Sequence, residues 1–144
     1  PLREEESRII DRMTGQERPS ARPVLSLGDL ADLRSLLPGI YVDPKVKDYI
    51  LDLVFATRDP VAVGLDRLRP LIAFGASPRA SLALVQASRA LAMLRGRGYV
   101  VPDDVRSVGY DVLRHRVLPS YEAEADEMDS DALLREIFAA VRVP

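Results

Sequence analysis

A chain of 144 residues, 47% hydrophobic and 29% charged, is long enough for one domain with a real core and too apolar for a disordered tail. Its net charge of -2 and sequence pI near 5.5 provide no field to attract nucleic acid or an anionic membrane surface. It has no cysteine, which removes disulfide and thiolate chemistry and fits a cytoplasmic protein; no apolar run is long enough to span a bilayer.

The first residues, Pro1 to Arg12, are charged where a signal peptide would be apolar; the chain does not begin with methionine, and for that reason a fragment of a longer protein is expected. Arg3 to Met13 is predicted as a short helix with Glu4, Glu5 and Glu6 in its first turn and Ile9, Ile10 and Met13 as apolar contacts. Thr14 to Pro23 is polar and turn-rich, an exposed connector. Ser26 with Asp29 three residues on forms a capping-box-like start to a second helix, whose Leu27, Leu30, Leu33, Leu36 and Leu37 are expected to pack into the core before Pro38-Gly39 ends it. Asp43 and Pro44 open a third helix with the stripe Val46, Tyr49, Ile50, Leu53 and Val54. Between Asp59 and Ala76, Pro60, Gly64 and Pro70 interrupt any long helix, and Leu71-Ile72-Ala73-Phe74 is ambiguous between strand and buried coil.

The best-specified helix follows, in the stretch Gly75 to Gly98. Ser77 is its N-cap candidate, Pro78 suits the first helical position, and Gly96 is the stop. Ala80, Ala83, Leu84, Ala87, Leu91 and Leu94 repeat at helical spacing, which predicts a central packing strut. Arg79 opposes the local physics: a cation in the first turn faces the positive end of the helix dipole, at a cost of about 0.3–1 kcal/mol. On physics alone, a solvated or carboxylate-paired arginine is the stronger reading; the sharper one is an anion held at the helix start.

Beyond it, Tyr99-Val100-Val101 reads as extended, and Pro102-Asp103-Asp104 starts a helix facing the core through Val105, Val108, Val112 and Leu113. Gly109 inside that helix costs about 1 kcal/mol relative to alanine, which suggests close helix approach. Val117-Leu118 is expected to pair with Tyr99-Val100 as a small ribbon, and Tyr121 to Asp126 to form an acidic connector. A last helix, capped near Asp129 or Ser130, carries Leu133, Leu134, Ile137, Phe138 and Val141. His115, the single histidine, has no second histidine or cysteine to make a ligand set, so no metal site is expected. The fold class is all-α: a helical bundle of five or six helices with at most a two-stranded ribbon.

Three ordered motifs, G-A-S-P-R-A from Gly75, R-G-R-G-Y-V-V-P-D-D-V from Arg95 and L-R-H-R-V-L-P-S-Y-E-A-E-A from Leu113, resemble the C-terminal lid of MoxR-type AAA+ ATPases. P-x-R-E-E-E at Pro1 resembles the segment by which that family leaves its ATPase core, with Leu2 where Asp is usual. The resemblance implies residues 1–23 as the end of the core and its connector, and 24–144 as the helical lid. It implies that Arg79 is the sensor 2 arginine, reaching toward the terminal phosphate of the nucleotide, with Gly75, Ala76, Ser77 and Pro78 in support. It further implies a parent that binds ATP and Mg2+, assembles as a ring, commonly a hexamer, and remodels or matures partner proteins, often ones with von Willebrand factor A domains. Arg58, Arg67 and Arg69 are then candidates to contact a neighbouring subunit, though for each of them a solvated loop position is the stronger reading. The chain lacks a G-x-x-x-x-G-K-[S/T] loop and a strand ending in paired acids, so alone it is not expected to hydrolyse ATP. The alternative is a stand-alone helical interaction module without nucleotide chemistry.

Overall fold

The structure, a computed structural model, describes residues 2–15 and 20–144; Pro1 and the middle of the connector, residues 16–19, lie outside the described residues. The chain divides into two compact units, Pro1–Arg34 and Ser35–Pro144. Seven α-helices occur among the described residues: α1 (Arg3–Thr14), α2 (Leu27–Leu36), α3 (Pro44–Ala56), α4 (Pro78–Leu94), α5 (Pro102–Leu113), α6 (Tyr121–Ala125) and α7 (Ser130–Ala140). The two strands, β1 (Ile72–Phe74) and β2 (Leu118–Pro119), form an antiparallel ribbon, so the fold is all-α in character, as the sequence indicates.

The helix starts follow capping chemistry. At α1 the Leu2 amide donates to Glu5 Oε2 (2.9 Å), so the back half of a capping box survives without a polar residue at the cap. Ahead of α2, Asp29 accepts from both the Ser26 amide (2.7 Å) and hydroxyl (2.7 Å), and these bonds hold its carboxyl below the ordinary carboxylate value. Asp43, Ser120 and Asp129 cap α3, α6 and α7 by accepting amides two or three residues on. Tyr121 to Asp126, expected as a connector, is thus largely a short helix begun by Ser120.

No residue of α1 or α2 is buried, and for the leucines of α2 this departs from the core packing expected of them. Leu27 is 86% and Leu36 58% exposed, and Ile9, Ile10 and Met13 are each about half exposed. In α2 the leucines recur every third residue, which at 100° per residue shifts each one by about 60° round the helix, so they do not line up as one stripe.

The core lies in the second unit. The stripe foreseen on α3 is buried throughout, and it meets Leu84 of α4, Val105 and Leu113 of α5, and Leu133, Leu134 and Ile137 of α7. α4 packs against α5 and α3 as the central strut. Its buried ridge is Ala80, Leu84, Ser88 and Ala92, one turn apart each time, and Leu94, 81% exposed, falls off it. Gly96 ends α4 in the left-handed region at φ 71°, with its own amide on the Met93 carbonyl (2.9 Å) and the Arg97 amide on that of Ala92 (2.9 Å). At Gly109 of α5 a β-carbon would stand 2.3 Å from Cζ of Phe138 on α7, so the missing side chain allows the close approach foreseen.

The ribbon has other partners than expected. β2 pairs with β1, Ile72 opposite Pro119 and Phe74 opposite Leu118, and the Ser120 amide continues the pairing to the Leu71 carbonyl (2.9 Å). Tyr99 is instead bridged to Tyr41, through amide bonds of 2.9 Å from Tyr41 to Gly98 and from Val100 to Tyr41. Twelve residues of α5 extend about 18 Å, which carries its two flanking segments to opposite ends of the bundle.

One buried charge ties α4 to α5. Asp104 is fully buried, and both its oxygens bond Arg97, at 2.5 and 2.7 Å, while Arg95 adds a third contact at 2.9 Å and the Val101 amide a fourth at 3.0 Å. Burial pushes the carboxyl upward, but the Arg97 bonds, the Val101 amide and the two cations outweigh it and hold the value below the ordinary one. These are residues of the R-G-R-G-Y-V-V-P-D-D-V motif, whose alternating arginines and paired acids are a structural clamp.

Candidate functional site

The loop Gly75–Ser77 delivers α4, and it is fixed by the end of α3. Thr57, the C-cap residue of α3, is fully buried; its hydroxyl donates to the Val54 carbonyl (2.6 Å) and accepts the Ala76 amide (2.9 Å). Arg58 Nε donates to the Ala76 carbonyl (2.6 Å), and its guanidinium lies 4.8 Å over the ring of Phe55. Gly75 is required by space: a β-carbon there would fall 2.4 Å from the Thr57 carbonyl oxygen and 2.9 Å from Cα of Arg58. Ala76 is buried in the same contact.

Ser77 occupies the N-cap position with extended backbone, φ -80° and ψ 169°, and Pro78 the first helical position. The Ser77 hydroxyl makes no capping bond, contrary to the sequence reading; the Ala80 amide donates to the Ser77 carbonyl instead, at 2.8 Å. The main chain thus supplies the acceptor that the hydroxyl would have provided. Arg79 is exposed in the first turn of α4, and its guanidinium has no carboxylate or other hydrogen-bond partner among the described residues. The cation on the unfavourable end of the dipole is therefore not offset from within the described chain.

The other candidate arginines are engaged. Arg67 is paired with Glu136 of α7, Arg69 with Asp59 (3.6 Å), and Arg58 with the Ala76 carbonyl. His115 is exposed, and among the described residues no group of histidines and carboxylates is arranged to hold a metal. Thr57 was not legible as a site residue, because its partner is 19 positions away. The buried threonine and the absent side chain of Gly75 are complementary only in three dimensions.

This fold and loop have known counterparts. The family model of the AAA lid domain matches residues 65–137, from just before β1 into α7. The chain belongs to the AAA lid domain family. Over its full length this lid is 44% identical to the chaperone MoxR1 of Mycobacterium tuberculosis, of which it covers 38%. It is 40% identical over 113 residues to the protein MoxR of Paracoccus denitrificans, covering 33% of that protein. The lid therefore spans well under half the length of these curated relatives. A crystal structure of an ATPase candidate from Cytophaga hutchinsonii superposes with a TM-score of 0.93 at 31% identity, covering 99% of this chain and 43% of that one. The MoxR-type lid read from the three sequence motifs stands on these matches.

Proposed function

We propose that this lid serves a MoxR-type AAA+ ATPase and that Arg79 is its sensor 2 arginine, contacting the terminal phosphate of bound ATP. The observation that carries the reading is the state of Arg79: an exposed guanidinium, unpaired among the described residues, on the first turn of a helix whose preceding loop is rigidly held. An anionic phosphate fits that position, since it meets the side chain and the positive end of α4 together. ATP with Mg2+, held mainly by the AAA+ core of the parent protein, supplies the phosphoryl group. This chain contributes charge and geometry: Arg79 binds phosphate oxygens and stabilises the charge that builds on them, Ser77 and Pro78 set where α4 begins, and Gly75 and Ala76 let the loop seat against α3.

An arginine that binds the phosphate before hydrolysis and loses that partner afterwards biases the lid between two orientations. In a ring, commonly of six subunits, that bias is the means by which the nucleotide state remodels or matures a partner protein, von Willebrand factor A domain proteins among them. We place the assembly in the cytoplasm, which the cysteine-free sequence suits. The test is steady-state ATP hydrolysis by the full-length parent, native against Arg79→Ala. A fall in kcat of about tenfold or more, equal to about 1.4 kcal/mol of barrier, with nucleotide still bound, supports the reading. Unchanged turnover and affinity would leave the lid fold standing and remove the phosphate-contacting role.

A further inference from the structure

The groups that hold the loop ahead of Arg79 come from α3, an element without a part in the chemistry proposed above. Two consecutive residues at its end take both polar groups of one residue: Thr57 accepts the Ala76 amide at 2.9 Å, and Arg58 donates to the Ala76 carbonyl at 2.6 Å. The Thr57 hydroxyl is itself fixed, since its proton is committed to the Val54 carbonyl at 2.6 Å inside the core. Gly75 places its backbone directly on that of Thr57 and Arg58, with no room for a methyl group. Arg58 is in turn backed by the face of Phe55. Arg79 lies three residues beyond Ala76, in the first turn of α4, directly after Pro78, whose ring fixes φ at the helix start.

We propose that Thr57 and Arg58 are positioning residues for Arg79: by fixing both sides of Ala76 they set the start and the rotation of α4, and thereby the direction in which the guanidinium projects. The inference rests on Arg79 acting at the phosphate. It gives a task to a buried threonine whose bonds reach across 19 residues of sequence, and to an exposed arginine whose Nε is spent on a carbonyl. Displacing a charged group by a fraction of an ångström from a developing phosphoryl charge lowers turnover without removing the nucleotide.

The experiment uses the full-length ATPase with Thr57→Val, Thr57→Ser and Arg58→Met, each in the native and the Arg79→Ala background. Thr57→Val keeps the shape and loses both hydroxyl bonds; it should lower kcat about fivefold or more, with ATP affinity changed far less. Thr57→Ser should restore most of the native turnover. In the Arg79→Ala background, Thr57→Val should cost nothing further, because no guanidinium is left to misplace. Should Thr57→Val fail to fold, Arg58→Met, at an exposed position, carries the same comparison: about a twofold or greater loss, absent in the Arg79→Ala background. Full turnover in Thr57→Val, or in Arg58→Met where that variant carries the comparison, while Arg79→Ala is impaired, would overturn the inference and spare the sensor reading. Losses that simply multiply in the double variants would assign Thr57 and Arg58 to general stability and also overturn it. An unimpaired Arg79→Ala would remove the sensor reading and this inference with it.

Discussion

Adding one methyl group at Gly109 sets two known effects against each other. The new carbon would stand 2.3 Å from Cζ, 3.0 Å from Cε1 and 3.2 Å from Cε2 of Phe138, so the ring tip must retreat by about 1.1 Å to reach ordinary contact at 3.4 Å. It has little freedom to do so: Phe138 is 2% exposed, its ring stacks on Tyr110 at 5.1 Å, and Arg106 donates to its carbonyl at 3.0 Å while lying 5.8 Å over the ring. Overpacking of this kind costs about 1–3 kcal/mol, and so deep a clash belongs in the upper part of that range. Replacing glycine by alanine within a helix returns about 1 kcal/mol. Gly109→Ala should therefore destabilise the fold by a net of about 1–2 kcal/mol, read by urea unfolding followed by circular dichroism. In a Phe138→Leu background the obstruction is gone, and the same substitution should become neutral or stabilising. A Gly109→Ala protein as stable as the native one would refute the reasoning, since the ring would then be able to move at no cost.

Gly75→Ala meets backbone rather than a side chain, so the loop itself must move; stability should fall by about 1–3 kcal/mol, and with it the ATP turnover proposed for the parent. Native turnover in that variant would mean that the seating of the loop does not matter to the site. The Asp104 clamp sets a pH dependence. Its carboxyl is held below the ordinary value, so the stability it contributes is fully present above the unfolded-state value of about 3.9 and is lost as pH falls through the lower folded-state value. Asp104→Asn should cost about 1–3 kcal/mol at pH 7, and the gap from native should narrow toward about pH 3 in urea unfolding; a gap that stays constant would mean the charge is not what holds α4 to α5.

Local chemistry makes most of the fold legible. Asp43-Pro44, Pro78 with Gly96, and Pro102-Asp103-Asp104 are start and stop signals that act over one turn, and each marks a helix boundary in the structure. Gly109 reads as a close approach because its helix cost has no local return. What stays hidden depends on distant partners. β1 and β2 are separated by more than forty residues, and nothing in Ile72–Phe74 distinguishes Leu118 from Tyr99 as a neighbour. The leucines of α2 recur every third residue, a spacing that drifts round the helix instead of making one stripe, and they are exposed. Of the candidate site, the motif at Gly75 to Ala80 is legible as a unit; the conflict of Arg79 with the helix dipole draws the eye to that residue, but the physics alone favours a solvated arginine, and only the family resemblance makes it a site candidate. The grip of Thr57 and Arg58 on Ala76 is not legible, because it exists only once α3 and α4 are packed.

The phosphate-sensing role proposed for Arg79 is tested most directly by comparing how the full-length parent protein binds ADP alone and ADP with aluminium fluoride, which mimics the transferring phosphoryl group. Native protein should bind the complex more tightly than ADP; Arg79→Ala should keep its affinity for ADP and lose about tenfold or more of its affinity for the complex. Equal affinities for the complex in the native and Arg79→Ala proteins would contradict the account.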